Sequence, residues 1–161
     1  KALEKPEIDT IFDSIEPDAS IKKSFFSSLK LGDVFLKTFE GIDHQKFFIV
    51  AGMTDDKLTV CSVFINSNIH PSLYNKQLIL NAQVPLKKND NTFLSHDSFA
   101  NCSHTFVLDA DLIINEILSG QCKVIGNIAP NDLRNVRCTI VNSGFLKQED
   151  EELFFKDLLS H

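Results

Sequence analysis

The chain has 161 residues, of which 43% are hydrophobic, and a formal net charge of −6 at pH 7. This length and apolar content suit one main domain with its own core and exclude a largely disordered chain. No apolar run approaches the roughly 20 residues of a membrane helix, and no signal peptide is visible. We therefore expect a cytoplasmic protein that does not bind a membrane.

The charge distribution limits which ligands are expected. There is no clustered Lys/Arg stripe of the kind that binds duplex nucleic acid. If a nucleic acid binds, it must contact the near-neutral central segment, where the candidate lysines are Lys37, Lys46, Lys76, Lys87 and Lys88. The four cysteines form no CxxC pair and have no histidine at zinc-ligand spacing, so they are expected to be small buried hydrophobic residues. We expect no metal and no other cofactor.

Residues 1–30 differ from the rest of the chain, because their apolar residues recur at helical spacing. The first stripe consists of Ile8, Ile11, Phe12 and Ile15, and the second consists of Ile21, Phe25 and Leu29. Pro17 ends the first helix, and Asp18 can cap the second. Two such helices cannot bury themselves alone, so residues 1–30 are predicted to be a helical extension that docks on the next domain or on a partner.

From Gly32 the pattern changes to short strands, which are predicted at 33–39, 46–53, 57–65, 77–80, 98–102, 106–108 and 123–128. One helix is predicted to follow a cap at Asp109 and to end at Gly120, and another to begin at Pro130. An acidic helix is predicted from Leu153 to Leu159. This order predicts an α+β fold: a small, strongly curved antiparallel sheet or partial barrel over residues 31–146, with helices on one side and an acidic C-terminal helix or tail at 147–161.

Three groups of segments resemble the PemK/MazF-like toxin family in order and character over about residues 31–143. They are Gly32-Asp33-Val34 with His44-Gln-Lys-Phe-Phe-Ile-Val50, then Val63-Phe-Ile-Asn-Ser-Asn68 with Leu94-Ser-His-Asp-Ser-Phe-Ala-Asn-Cys-Ser103, then Lys123-Val-Ile-Gly-Asn-Ile-Ala-Pro-Asn-Asp-Leu133. The resemblance implies an SH3-like barrel, a homodimer, an antitoxin partner and endoribonuclease activity on single-stranded RNA. Lys46-Phe47 stands where the family usually has Arg-Pro, so the usual catalytic arginine is not matched.

Metal-free RNA cleavage needs a base for the 2′-hydroxyl proton, an acid for the leaving oxygen, and a cation or hydrogen-bond donor at the phosphorus. The predicted catalytic residues are His44, Lys46 and His96. The predicted substrate-binding residues are Ser67, Asn68, Asp97, Ser98 and Asn101. The prediction requires segments 44–46, 66–68 and 95–103 to meet on one concave face of the sheet.

Each candidate also has a purely structural interpretation. His44 can be a surface loop residue, and Lys46 can be the solvated start of a strand. Residues 96–98 can form an Asx- or Ser-type turn, and residues 66–68 can form a turn that ends a strand. Ser67 and the other hydroxyl or amide residues would then contact no substrate.

Two functions follow from these interpretations. The first is a toxin-like protein of a bacterial toxin–antitoxin or defence module that acts as a metal-independent endoribonuclease. The alternative is a catalytically degenerate barrel that binds a protein or a nucleic acid without cutting it, either alone or as a domain of a larger regulatory protein.

Overall fold

The computed structural model describes residues 19–159. The predicted first helix and the cap at Asp18 lie outside the described residues. The helices are α1 (Ala19–Ser28), α2 (Gln77–Leu80), α3 (Ala110–Ser119), α4 (Pro130–Asn142) and α5 (Gln148–Phe154), with 3₁₀ turns at Pro71–Leu73 and Lys156–Leu158. The strands are β1 (Asp33–Thr38), β2 (Gln45–Met53), β3 (Thr59–Asn66), β4 (Gln83–Leu86), β5 (Ser98–Asp109) and β6 (Cys122–Asn127).

The six strands form one antiparallel sheet in the order β4-β5-β3-β2-β1-β6. The predicted α+β class with an antiparallel sheet is therefore confirmed. Among the described strands, β4 and β6 lie at the two edges, and each pairs with one neighbour, so the sheet is open. Pro85 lies in edge strand β4, where a missing N–H group is tolerated.

The sheet carries a hydrophobic core on each of its two faces. Successive residues of β1 and β2 alternate between the cores: Val34 and Ile49 belong to one, and Phe35 and Phe48 belong to the other. Helix α4 packs on the first face through residues such as Val136, whereas α1 and α3 contribute to the second face. The predicted placement of all helices on one side is wrong. Apolar runs such as the one within β2 are typical of strands that are covered on both faces.

Phenylalanine rings fill the second core. The ring centroids of Phe64 and Phe106 are 4.5 Å apart, and Phe39 meets Phe64 edge-on at 5.0 Å. Phe35 and Phe48 stack at 5.4 Å. These phenylalanines thus form core contacts, in the offset and edge-to-face geometries that aromatic pairs prefer.

Four predicted elements differ from the structure. Residues 77–80, predicted as a strand, form one helical turn, and the edge strand β4 follows them. The two strands predicted at 98–102 and 106–108 are one continuous strand, β5, because a bulge against β3 between Val63 and Ile65 lets pairing continue through polar residues. The C-terminal helix begins at Gln148, since three acidic residues in its first turn suit a helix N-terminus.

Gly52 allows α5 to lie directly on β2. A Cβ atom at this position would be 2.8 Å from both the Cβ and the carbonyl oxygen of Phe154, and 3.0 Å from the ring of Phe155. We therefore expect Gly52→Ala to lower the free energy of unfolding by about 2 kcal/mol, as over-packing of a filled core does. Urea denaturation measures this. Gly126→Ala is the control, because its Cβ would be 3.7 Å from Phe93, and equal stability of the two variants would contradict the prediction.

Candidate functional site

The start of β2, the end of β3 and the connection before β5 meet at the same end of these neighbouring strands. Strand pairing causes this, because Phe47 lies opposite Ile65, and Asn66 lies opposite Phe99. Between them is a cavity of about 220 Å³, here called the histidine cleft. Its lining residues are His44, Gln45, Lys46, Phe47, Ile65, Ser67, Leu94, Ser95, His96 and Ser98. The structure therefore brings together five of the predicted site residues.

A second cavity of about 490 Å³, here called the amide cleft, adjoins the first and shares Lys46 and Ser67 with it. Its lining residues are Lys46, Asn66, Ser67, Asn68, Ile69, His70, Pro71, Leu73, Gln83 and Asn101. The predicted substrate-binding residues Asn68 and Asn101 lie here, beside the predicted catalytic lysine. Both clefts have linings of mixed polar and apolar residues.

Asp97 is not among the lining residues of either cleft. Its Oδ1 atom accepts a hydrogen bond from the backbone N–H of Lys88, at 2.9 Å. The carboxylate thus secures the turn at residues 88–90 to the connection before β5. The Asp97 carboxylate thus has a local structural contact and lines neither cleft.

Lys46 lies where the two clefts join and is half-buried. Its Nζ atom donates a hydrogen bond to Oδ1 of Asn66 and lies 5.4 Å from the centroid of the Phe64 ring. Burial lowers the pKa of Lys46 from its ordinary value, because removal of water disfavours the charged ammonium. A partly dehydrated amine of this kind can bind an anion more strongly than a fully solvated one.

His96 has one ring nitrogen held by the backbone. Nδ1 is 3.1 Å from the carbonyl oxygen of Asp97 and 3.4 Å from Oγ of Ser98, and in the tautomer with the proton on Nδ1 this nitrogen donates to the carbonyl oxygen. The Oγ atom of Ser98, which is buried, donates to the carbonyl oxygen of His96 at 3.0 Å. These bonds form a local turn and leave Nε2 of the neutral ring with a lone pair, so His96 can accept a proton there.

His44 is exposed and also lines the histidine cleft. Its Nδ1 atom is 2.9 Å from Oδ1 of Asp43. The hydrogen bond and charge of His44 lower the pKa of the Asp43 carboxyl, which stays ionised beside the ring. A carboxylate on one ring nitrogen orients the imidazole. When both ring nitrogens carry a proton, His44 can give one of them to a leaving oxygen.

The connection that carries His96 is held firmly at its base by Asn91, whose side chain is 2% exposed. Asn91 Nδ2 donates to the carbonyl oxygen of Lys87 at 3.0 Å and to Asp132 at 2.8 Å, while Oδ1 accepts from the N–H of Ala129. The ring of Phe93 packs edge-on against Phe47 of β2 at 6.0 Å. The connection is thus anchored to both α4 and the strand that bears Lys46.

Sequence reasoning did not select Asn66, Gln83 or His70, all of which line the amide cleft. Asn66 could have been selected, because it precedes Ser67 in the same polar triplet. Gln83 could not have been selected, because the proline in β4 argues against a strand there and that strand was not predicted.

Lys37, a candidate nucleic-acid contact, is buried, and its Nζ atom lies 3.3 Å from Glu116. It is therefore unavailable for nucleic acid.

The chemistry available in the clefts is that of amines, imidazoles, amides and hydroxyls. Neither lining set contains a carboxylate, although the chain as a whole is acidic. Over the described part of the chain, no group of three or more His, Cys, Asp or Glu residues could hold a metal ion. The buried thiols are inert, since burial raises the pKa of Cys61 and Cys102 to about 12 and that of Cys122 to about 11.

Comparison with known proteins does not assign the chain to a family: no protein-family model matches it, and no curated protein sequence matches it either. Within residues 19–159, none of the helices is long and apolar enough to cross a membrane. Function must therefore be argued from the clefts themselves.

Proposed function

We propose that the protein is a toxin-like, metal-independent endoribonuclease that cleaves single-stranded RNA at the histidine cleft. One observation carries the proposal: two histidines and a half-buried lysine surround a single cavity whose lining residues include no carboxylate. An acidic lining would repel a phosphodiester, whereas this one attracts it. The resemblance of residues 31–143 to PemK/MazF-like toxins supports the same activity, with an SH3-like partial barrel, a homodimer and an antitoxin partner.

In the proposed reaction His96 acts as the base. Its Nε2 atom takes the proton of the ribose 2′-hydroxyl, and the 2′-oxygen forms a bond to the adjacent phosphorus. The bond from phosphorus to the 5′-oxygen breaks, and His44 gives its proton to that leaving oxygen. The products are a 2′,3′-cyclic phosphate and a 5′-hydroxyl, so no metal or external reactant is required.

Lys46 stabilises the charge that builds up on the phosphorane oxygens. An ammonium is a point charge and cannot form the bidentate contact of a guanidinium. Its partial burial compensates in part, because a charge interaction is stronger where water is excluded. The hydroxyl of Ser67, which lines both clefts, can donate a hydrogen bond to the same phosphate.

A second function, RNA or protein binding without cleavage, is favoured by a different observation. The Nζ atom of Lys46 is already hydrogen-bonded to Asn66, and no arginine lines the histidine cleft. A phosphate would have to compete with the amide oxygen for this amine. In such a degenerate module the clefts would hold a strand in place, and the histidines would transfer no proton.

The decisive experiment is incubation of the purified protein with single-stranded RNA in the presence of EDTA. We expect cleavage to fragments with 2′,3′-cyclic phosphate and 5′-hydroxyl ends, with a bell-shaped dependence of rate on pH, because one imidazole must be neutral while the other is protonated. Gel analysis and end-labelling of the products measure both. Absence of cleavage at every pH from 5 to 9, with RNA binding retained, would reject the nuclease and leave the non-cleaving module.

A further inference from the structure

We propose that the amide cleft is a base-recognition subsite that binds adenine, in the nucleotide next to the phosphate held by Lys46. This inference rests on the proposed function only in taking an RNA strand as the ligand. The cavity of about 490 Å³ shares Lys46 and Ser67 with the histidine cleft. A strand whose phosphate contacts Lys46 therefore places a neighbouring base at the amide cleft.

The orientation of Gln83 in this cleft is fixed by its hydrogen bonds. One group of its side-chain amide is 3.1 Å from the backbone carbonyl oxygen of Ile79 and 2.8 Å from Oδ1 of Asn101. Because a carbonyl oxygen only accepts, the group must be Nε2, and both of its hydrogens are used. Within residues 19–159, Oε1 of Gln83 forms no hydrogen bond. Gln83 thus offers the cleft an acceptor and no donor.

The side-chain amide of Asn101 is also fixed, but by hydrogen bonds to its oxygen and not to its nitrogen. Its Oδ1 atom accepts from the backbone N–H of Ser103 at 3.2 Å and from the Ser103 hydroxyl at 2.6 Å, in addition to Gln83. An atom that accepts from a backbone N–H must be the oxygen. The Nδ2 group of Asn101 forms no hydrogen bond within the described segment, so it offers two donor hydrogens. The two amides cannot rotate without breaking this network.

A fixed acceptor beside a fixed donor matches the edges of adenine. The N6 amino group of adenine can donate to Oε1 of Gln83, while N1 or N7 accepts from Nδ2 of Asn101. Adenine presents this donor and acceptor pair on both its Watson–Crick and its Hoogsteen edge, whereas cytosine presents it only on its Watson–Crick edge and the Hoogsteen edge of guanine has acceptors only. Ile69, Pro71 and Leu73 give the cleft an apolar surface against which a base can pack.

Binding of non-cleavable strands tests the inference. The probes are short, fluorescently labelled 2′-O-methyl oligouridine strands with one central position that is A, G, C or U, and affinity is measured by fluorescence anisotropy. We expect the wild-type protein to bind the A strand about tenfold more tightly than the U strand. Equal affinity for the four strands, or no binding of any of them, would overturn the inference.

Asn101→Asp is the informative variant, because the new side chain keeps an oxygen for Ser103 and Gln83 but loses the Nδ2 donor. We expect the A-to-U affinity ratio to fall to about 1 and the G strand to become preferred, since N1–H and the N2 amino group of guanine can donate to two acceptors. Asn75→Asp is the charge-matched control, because Asn75 is exposed and outside the cleft lining. This control should weaken the binding of all four RNA strands equally and leave the A-to-U affinity ratio unchanged.

An unchanged adenine preference in Asn101→Asp would also reject the assignment. The methylated strands cannot be cleaved, because they lack the 2′-hydroxyl. An adenine preference without cleavage of ordinary RNA would therefore reject the nuclease and retain the subsite. Cleavage without a base preference would retain the nuclease and reject the subsite.

Discussion

Replacing His96 with alanine is expected to lower kcat for RNA cleavage by about 100-fold or more, the usual contribution of one general acid or base. The loss should fall on kcat and leave KM nearly unchanged, since the imidazole acts on a proton in the transition state while the strand is held by Lys46 and the amide cleft. Steady-state kinetics on a short fluorogenic RNA substrate measure both constants. Added imidazole should restore part of the rate by occupying the space left by the ring.

The matched control is His104→Ala. His104 is exposed on β5, eight positions farther along the chain, and is in neither cleft lining. Its removal should change kcat by less than about twofold. If His96→Ala retained full activity while the protein cleaved RNA, the assignment of His96 as the base would be wrong. Equal losses in the two variants would indicate a general effect of histidine removal.

The convergence of distant segments could be predicted because antiparallel order brings particular strand ends together. Once β2, β3 and β5 are neighbours, the residues before β2, after β3 and before β5 must lie at the same end of the strands. Sequence patterns and turn residues located β2 and β3 within one or two positions, with Lys46 and Ser67 at the expected ends, and located the start of β5, although β5 was predicted as two strands. The continuous apolar run of β2 also indicated a buried strand.

The amide cleft could not be predicted to the same extent, because it depends on β4. A proline within four residues concealed this strand, and residues 77–80 have the apolar character of a strand although they form a helical turn. Tertiary contact decided between these alternatives, and a local pattern cannot. The hydrogen bond between Lys46 and Asn66 could not be predicted either, since the two residues are 20 positions apart and their side chains meet only when β2 pairs with β3.

Replacing Arg137 with alanine is expected to cost about 3 kcal/mol of unfolding free energy, the largest effect on stability that we predict. Arg137, only 8% exposed, donates from Nε to the carbonyl oxygen of Ala51 at 2.8 Å, and its two terminal nitrogens bind Asp157 at 2.8 Å each. Its removal leaves the Ala51 carbonyl without a partner inside the core, and that loss alone costs about 1–3 kcal/mol. Lost packing on the ring of Phe155 adds to it.

The ion pair itself contributes the smaller part, because the Asp157 side chain is 60% exposed and water screens its charge. Hydrogen bonds from Arg137 lower the pKa of Asp157 below its ordinary value. The stabilisation from the pair is therefore complete above the unfolded carboxyl pKa of about 3.9 and disappears as the pH falls through the lower, folded value. Asp157→Asn should reduce stability at neutral pH by about 1 kcal/mol or less, and the difference from wild type should vanish in acid.

Urea denaturation at neutral and acid pH separates the two contributions of Arg137. Arg134→Ala is the control on the same helix, since Arg134 is exposed and donates to Asn131 one turn away, at 3.2 Å. Within residues 19–159 the Arg134 side chain has no other hydrogen bond, so Arg134→Ala should change stability by less than about 0.5 kcal/mol. Because the contact with Ala51 does not depend on a carboxylate, Arg137→Ala should remain destabilising in acid, where Asp157→Asn no longer is. Loss of the Arg137→Ala effect in acid would show that the ion pair, and not the buried carbonyl, holds α4 and the C-terminal segment on β2.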